Sequence, residues 1–294
     1  MPRKTGVQTM TNCNHNHHSH DHHHADEGNG IARRDLLTAG AAATAVAAVG
    51  LAAAPVRASD NPAYAEPAEP ALPPSTMSLE KGRAALLVVD PQIDFLSPKG
   101  VSWGVVGESV TEHNVVDNLG RLFRAAKAVD MPVVISPHYY YPQDHRWRFE
   151  GALEKVMHKI SMFDREGPLV TEGFEGSGAD FMPEFKDYIF DGKTVIASPH
   201  KVYGPEQNDA GLQLRKLKVD QVILAGMSAN LCVESHMREF LEQGFEVAVV
   251  RDATAGAKVP EGDGYLAALI NFRMIANAVW ATDEAVEHIQ GLTG

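Results

Sequence analysis

The stretch VILAGMSANLCVESHMREFLEQGFEVAVVRDATA, residues 222–255, contains a strand, a loop, a helix and a second strand in order. Its opening run, with Gln221 included, is short, branched and apolar, the pattern of a strand buried on both faces of a parallel sheet. From Cys232 to Gln243 the apolar residues Val233, Met237, Phe240 and Leu241 recur at helical spacing. FEVAVV (245–250) then returns to a branched apolar run. A strand, a helix and a strand in succession imply two parallel strands joined by a right-handed crossover.

Outward from this unit the alternation continues. AALLVVD (84–90), PVVIS (132–136), KTVIAS (193–198) and MIANAVW (274–280) read as further strands. Residues 109–129 read as a helix, with Val115, Leu119, Leu122, Phe123 and Ala126 on one face. The fold class this predicts is α/β, a layered sandwich of helices on a sheet, with no internal repeat.

Residues 31–58, IARRDLLTAGAAATAVAAVGLAAAPVRA, join a paired arginine to a short Ala-rich stretch and a small-residue end. Arg33 and Arg34 resemble a twin-arginine export signal, and the apolar run is too short and too weakly apolar for a membrane span. Residues 1–58 are therefore expected to be a signal region, with processing after Ala58 or Ala65 and the protein exported to the periplasm or beyond. The tract HNHHSHDHHH (15–24) falls inside it and lacks the fixed spacing of a tetrahedral ligand set. Residues 59–78, rich in Pro, Ala, Glu and Ser, read as a linker, and residues 79–294 as the folded domain.

A net charge of −12 with no basic stripe argues against nucleic acid and anionic lipid as partners. Only Cys13 and Cys232 are present, so the domain cannot build a disulfide framework. Polar residues at the carboxyl ends of parallel strands are the first candidates for chemistry, because ligands bind there. Three stand out: Asp90 closes the first strand, Lys201 follows the third, and Cys232 follows the fourth and opens a helix. A carboxylate, an ammonium and a thiol on one sheet edge form an acid-base, charge and nucleophile set. The helix start and a nearby ammonium would lower the thiol pKa from about 8.5 toward about 3.5–7.5.

LLVVDPQIDF (86–95) resembles the D-x-Q-x-D-F signature of the isochorismatase-like cysteine hydrolases, and residues 222–255 resemble their cysteine segment. The resemblance runs from about Leu79 to about Ile289 and keeps the order Asp90, Lys201, Cys232. It implies a six-stranded parallel sheet in a three-layer sandwich and hydrolysis of a C–N bond in a small amide through a Cys232 thioester. It also implies an oxyanion hole from the amides of Ser228 and Cys232, a cis peptide between Met227 and Ser228, and assembly as a homo-oligomer. Two other functions stay in view. Vinyl ether cleavage, as in true isochorismatases, uses an aspartate acid and no thiol, and a non-catalytic binding protein of this fold would show an altered triad member.

The chain also departs from the family pattern. In ISPHYYYPQDHRW (135–147), His138 and His145 stand where nicotinamidases carry metal ligands, but Ser136 replaces their aspartate and the histidine spacing is one residue longer. No metal and no cofactor is expected. Phe95, His138, Tyr139 and Trp147 gather near the ends of the first two strands and are expected to line the substrate pocket.

Overall fold

The computed structural model describes residues 61–202, 204–205 and 208–293. The expected signal region, residues 1–58, lies outside the described residues.

Among the described residues the strands are β1 (Ala84–Val89), β2 (Val133–Ser136), β3 (Val195–Ile196), β4 (Gln221–Gly226), β5 (Glu246–Thr254), a small antiparallel hairpin β6 (Lys258–Val259) and β7 (Gly262–Asp263), and β8 (Ala278–Trp280). The sheet is six-stranded in the order β3-β2-β1-β4-β5-β8, and every neighbouring pair is parallel. β1 sits at the centre and is buried along its whole length. Its Leu86, Leu87, Val88 and Val89 side chains are fully enclosed, each worth about 1.5–3 kcal/mol of burial. Alternate residues of β1 feed two separate apolar cores, one on each face: Leu86 and Val88 on one, Leu87 and Val89 on the other.

The strand order jumps between β1 and β4, so the chain reverses its direction of winding there, the position beyond whose strand ends ligands bind in open α/β sheets. Gly226 closes β4 at φ +112°, with space only for hydrogen, since a Cβ would stand 2.0 Å from Val89 O. Asp90 leaves β1 at φ +47°, a left-handed turn that Asp tolerates better than most residues. The polar ends of the two central strands are thereby turned toward one another.

Three elements differ from the pattern read in sequence. The helix expected over residues 109–129 is two helices, Trp103–Glu112 and Val115–Ala128, because Asn114 takes φ +53° between them. Residues 274–275 of the run MIANAVW end the helix Gly264–Ile275, leaving only Ala278–Trp280 as strand. There the helical stripe Tyr265, Ala268, Leu269 and Phe272 buries first and carries Met274 out to solvent. KTVIAS keeps only Val195–Ile196 as strand, at the sheet edge.

The described part of the expected linker, residues 61–78, has no helix or strand and is mostly exposed, yet Tyr64 is buried. Its ring packs on Tyr265 and His113, its hydroxyl donates to Asp263 at 2.6 Å, and Arg273 donates to the carbonyls of Tyr64 and Ala65. Among the described residues no helix is long and apolar enough to cross a membrane.

Candidate active site

Cys232 sits in a turn of π-helix, Ala229–Val233, which runs directly into the helix Glu234–Glu242. The peptide between Met227 and Ser228 is cis, as the resemblance implies, and the amides of Leu231 and Val233 both donate to Ser228 O. The turn is braced from behind. His236 Nδ1 faces the Cys232 carbonyl at 2.6 Å, and its Nε2 lies 2.8 Å from Ser136 Oγ, to which Asn208 donates. A carbonyl oxygen only accepts, so Nδ1 carries the His236 proton and Nε2 receives the Ser136 hydroxyl. Ser136, which stands where the resemblance would place a metal-ligating aspartate, thus helps hold the cysteine turn.

The thiol is enclosed, with 3% of the residue exposed, and donates to Val202 O at 3.2 Å. Asp90 is fully buried beside it. Asp90 Oδ1 lies 2.9 Å from His200 Nε2, whereas Oδ2 has no hydrogen-bond partner among the described residues. His200 Nδ1 faces the Lys201 carbonyl and must therefore carry a proton. A further proton has to lie on the Nε2–Oδ1 line, because an unprotonated nitrogen and a carboxylate would repel. The His200–Asp90 pair therefore holds one shared proton, and the other oxygen of Asp90 is left open for the thiol.

Sequence order suggests Lys201 as the partner of Asp90 and Cys232, and the structure places His200 there instead. Parallel pairing continues past the ends of β2 and β3 through His138 and His200, which turns His200 inward. Lys201 points elsewhere: its Nζ donates to Asp144 at 2.5 Å and to Tyr139 O at 2.8 Å, and it lies over the rings of Tyr140 and Tyr141. Its charge still bears on His138.

The electrostatics of the thiol are also the reverse of the sequence expectation. Burial first, and then the adjacent Asp90 carboxylate, push the Cys232 thiol well above its usual range, while the backbone N–H groups of Ser228 and Cys232 act against that rise. Burial likewise raises Asp90, and His200 opposes the rise. The resting pair is a neutral thiol facing a base, rather than a free thiolate. The amides of Ser228 and Cys232, the two expected in an oxyanion hole, both favour negative charge at the sulfur.

The expected pocket residues separate into two groups. His138 belongs to the buried cluster: one ligand-type atom from each of Asp90, His138, His200 and Cys232 lies within 4.8 Å of the others. Phe95 packs edge-on against Phe163, which in turn contacts the His138 ring. Tyr139 is buried under Arg165, and Trp147 contacts Tyr140 and His158 farther out. His145 pairs with Asp164 at 2.8 Å and His158 with Glu150. A surface cleft of about 470 Å³ runs past His145, His158, Arg165 and Phe174, and its lining includes none of Asp90, His200 or Cys232.

Gln92 is a positioning residue not singled out in sequence. Its side chain accepts from His138 N at 2.9 Å and donates to the carbonyls of His138 and Ala179, clamping the end of β2 to the loop after β1. Asp94 accepts from the amides of Phe163 and Val101, and Gly178 packs so closely on it that a Cβ would lie 2.0 Å from Oδ1. Of the D-x-Q-x-D pattern, Asp90 therefore lies in the buried cluster, while Gln92 and Asp94 build its surroundings.

The family model described as the isochorismatase domain matches residues 84–284. A ureidoacrylate amidohydrolase RutB from Pseudomonas savastanoi pv. phaseolicola (strain 1448A / Race 6) is 25% identical over 190 residues, which is 62% of this chain and 74% of that protein. Among solved structures, a cysteine hydrolase from Pseudomonas syringae pv. phaseolicola 1448A superposes with a TM-score of 0.61 at 19% identity, covering 76% of this chain and 99% of the other. The N-carbamoylsarcosine amidase of Thermoplasma acidophilum superposes with a TM-score of 0.50 at 18% identity, over 69% of this chain and 98% of its own. These likenesses show a shared fold, with the six-stranded parallel sheet and flanking helices described above. The match to the family model spans the domain from β1 into the last helix, and the chain belongs to the isochorismatase family.

Proposed function

We propose that the protein hydrolyses a C–N bond in a small amide or ureido compound through a thioester on Cys232. The observation that carries this reading is the pairing of the buried thiol with an Asp90 oxygen that has no other partner among the described residues. Asp90 Oδ2 takes the thiol proton as sulfur attacks the carbonyl carbon, and the carbonyl electrons move onto oxygen. The amides of Ser228 and Cys232 hold that oxyanion, since both already favour negative charge at the neighbouring sulfur. Collapse expels the amine, which takes its proton from Asp90, and leaves the acyl group on sulfur. Water then attacks the thioester with Asp90 again as base, releasing the acid and the thiol.

In this scheme His200 supplies what an ammonium would supply elsewhere. Its shared proton keeps Oδ1 engaged, so that Oδ2 is the oxygen that exchanges protons. Substrate must displace the Val202 carbonyl from the sulfur, because that bond occupies the approach to the nucleophile. The names of relatives of similar fold, a ureidoacrylate amidohydrolase and an N-carbamoylsarcosine amidase, put carbamoyl and ureido compounds first in a substrate panel.

The test is ammonia release from a panel of simple amides, carbamoyl amino acids and ureido acids, with Cys232→Ala as the control. Turnover of at least one member, lost in the variant, supports the reading. Turnover that survives the loss of the thiol rejects it. Export remains part of the proposal, and processing after Ala58 fits it better than processing after Ala65, since Tyr64 and the carbonyl of Ala65 are anchored to the domain. The N-terminal residue of the secreted protein decides between the two.

A further inference from the structure

We propose that Asp90, His138, His200 and Cys232 form a zinc-type cation site that takes the nucleophilic sulfur as a ligand, so that cation binding and acyl transfer exclude one another. The exclusion rests on the reading of Cys232 as nucleophile; the cation site itself does not. One ligand atom from each residue lies within 4.8 Å of the rest, and all four residues are buried. Tetrahedral zinc with bonds of about 2.0–2.3 Å spaces its ligand atoms about 3.3–3.8 Å apart, so side-chain rotations closing the widest gap by about 1 Å complete the geometry.

Two features separate this cluster from an ordinary buried polar group. His138 is fully enclosed, yet neither of its ring nitrogens has a hydrogen-bond partner among the described residues, and the same holds for Asp90 Oδ2. Buried groups of this kind are costly unless something binds them. His200 has the second feature: its Nδ1 donates to the Lys201 carbonyl, which aims Nε2 into the cluster. Metal-ligating histidines are oriented by such a bond on their other nitrogen. Gln92 fixes the His138 backbone in a comparable way.

Charge bookkeeping favours the exchange. Without a cation the four groups hold a shared proton on His200 and Asp90 and a second on the thiol, and their net charge is zero. A dication that displaces both protons faces a carboxylate, a thiolate and two neutral imidazoles, and the net charge is again zero. No uncompensated charge is therefore buried on either side of the exchange. A sulfur ligand and two imidazoles select zinc or its cobalt analogue over magnesium and calcium, which prefer oxygen. The set differs from the His138 and His145 pair raised by sequence, because His145 is committed to Asp164.

The experiment uses the full chain with Cys13→Ser, which leaves Cys232 as the only thiol. Cobalt(II) is titrated in and the thiolate-to-cobalt charge-transfer absorption is followed, a signal that the N-terminal histidine tract cannot give. The expected result is a saturating band, absent in Cys232→Ser and at least tenfold weaker in affinity in His138→Phe, with circular dichroism confirming that both variants fold. Zinc should also slow alkylation of Cys232 at least tenfold, and a chelator should restore it. Absence of the band in the parent chain overturns the site, as does an unchanged affinity in folded His138→Phe. Amide turnover without a band sinks the cation site alone. A band in a protein that, after chelation, turns over no amide supports the site and sinks the nucleophile reading alone.

Discussion

Replacing His200 with Gln tests the arrangement that most sharply separates structure from sequence order. The Asp90 carboxylate is wholly buried and its one described hydrogen bond is to His200, at 2.9 Å. Removing one member of such a buried pair costs about 3–5 kcal/mol. Asp90 answers by holding a proton of its own, which removes the base. At about 1.4 kcal/mol per decade, that loss corresponds to a fall in kcat/KM of about a hundredfold to several-thousandfold. Lys201→Gln, by contrast, loses an ion pair with Asp144 and a bond to Tyr139 O at a half-buried site, and less than about a tenfold fall is expected. Both variants are assayed at pH 7 on the best substrate of the panel, with thermal melts and the rate of Cys232 alkylation confirming that the fold and the thiol remain in place. Folded His200→Gln within threefold of the parent, or Lys201→Gln as damaged as His200→Gln, would refute the assignment of His200 as partner of Asp90.

Other outcomes follow from named contacts. Tyr64→Ala should lower stability by about 3 kcal/mol in denaturant titrations, since a buried aromatic and its bond to Asp263 are lost, and a chain starting at Ser59 should keep the stability that one starting at Glu66 loses. His113, buried against Tyr265, has its pKa lowered to about 4 by burial, from 6.5. The unfolded chain therefore takes up this proton first as the solution is acidified. The stability that depends on neutral His113 is complete above pH 6.5 and is lost as pH falls toward 4, by about 3 kcal/mol in all. His113→Phe should flatten the stability-pH curve over that window, and an unchanged slope would show that His113 is not the group responsible. Gln92→Leu strands the His138 amide and two carbonyls, and a loss of at least about 3 kcal/mol is expected in thermal or denaturant unfolding.

The central strands are legible in sequence because burial on both faces leaves a continuous branched apolar run, as in β1 and β4. Asp90 and Cys232 are legible for a related reason: they close or follow those runs, and the adjacency of β1 and β4 brings them together. His200 and Lys201 are adjacent, and nothing in their order says which one turns inward. Only the pairing of His138 with His200, beyond the ends of two edge-side strands, decides it. The thiol environment misleads in sequence on a related account, because the helix start, the ammonium and the carboxylate are all visible there, while the complete burial that dominates the thiol is not. The break at Asn114 is hidden because the apolar stripe continues across it, from Val106 and Val110 to Val115 and Leu119. His236 and Ser136 carry no local signal either, since their bond joins residues 100 positions apart.

The most direct measurement is intact-mass spectrometry of the protein quenched in acid during turnover of its best substrate. The account predicts a transient adduct equal to the acyl group, mapped to Cys232, discharged by hydroxylamine and absent in Cys232→Ser. Steady turnover with no such adduct at any quench time, or an adduct on a different residue, would contradict it.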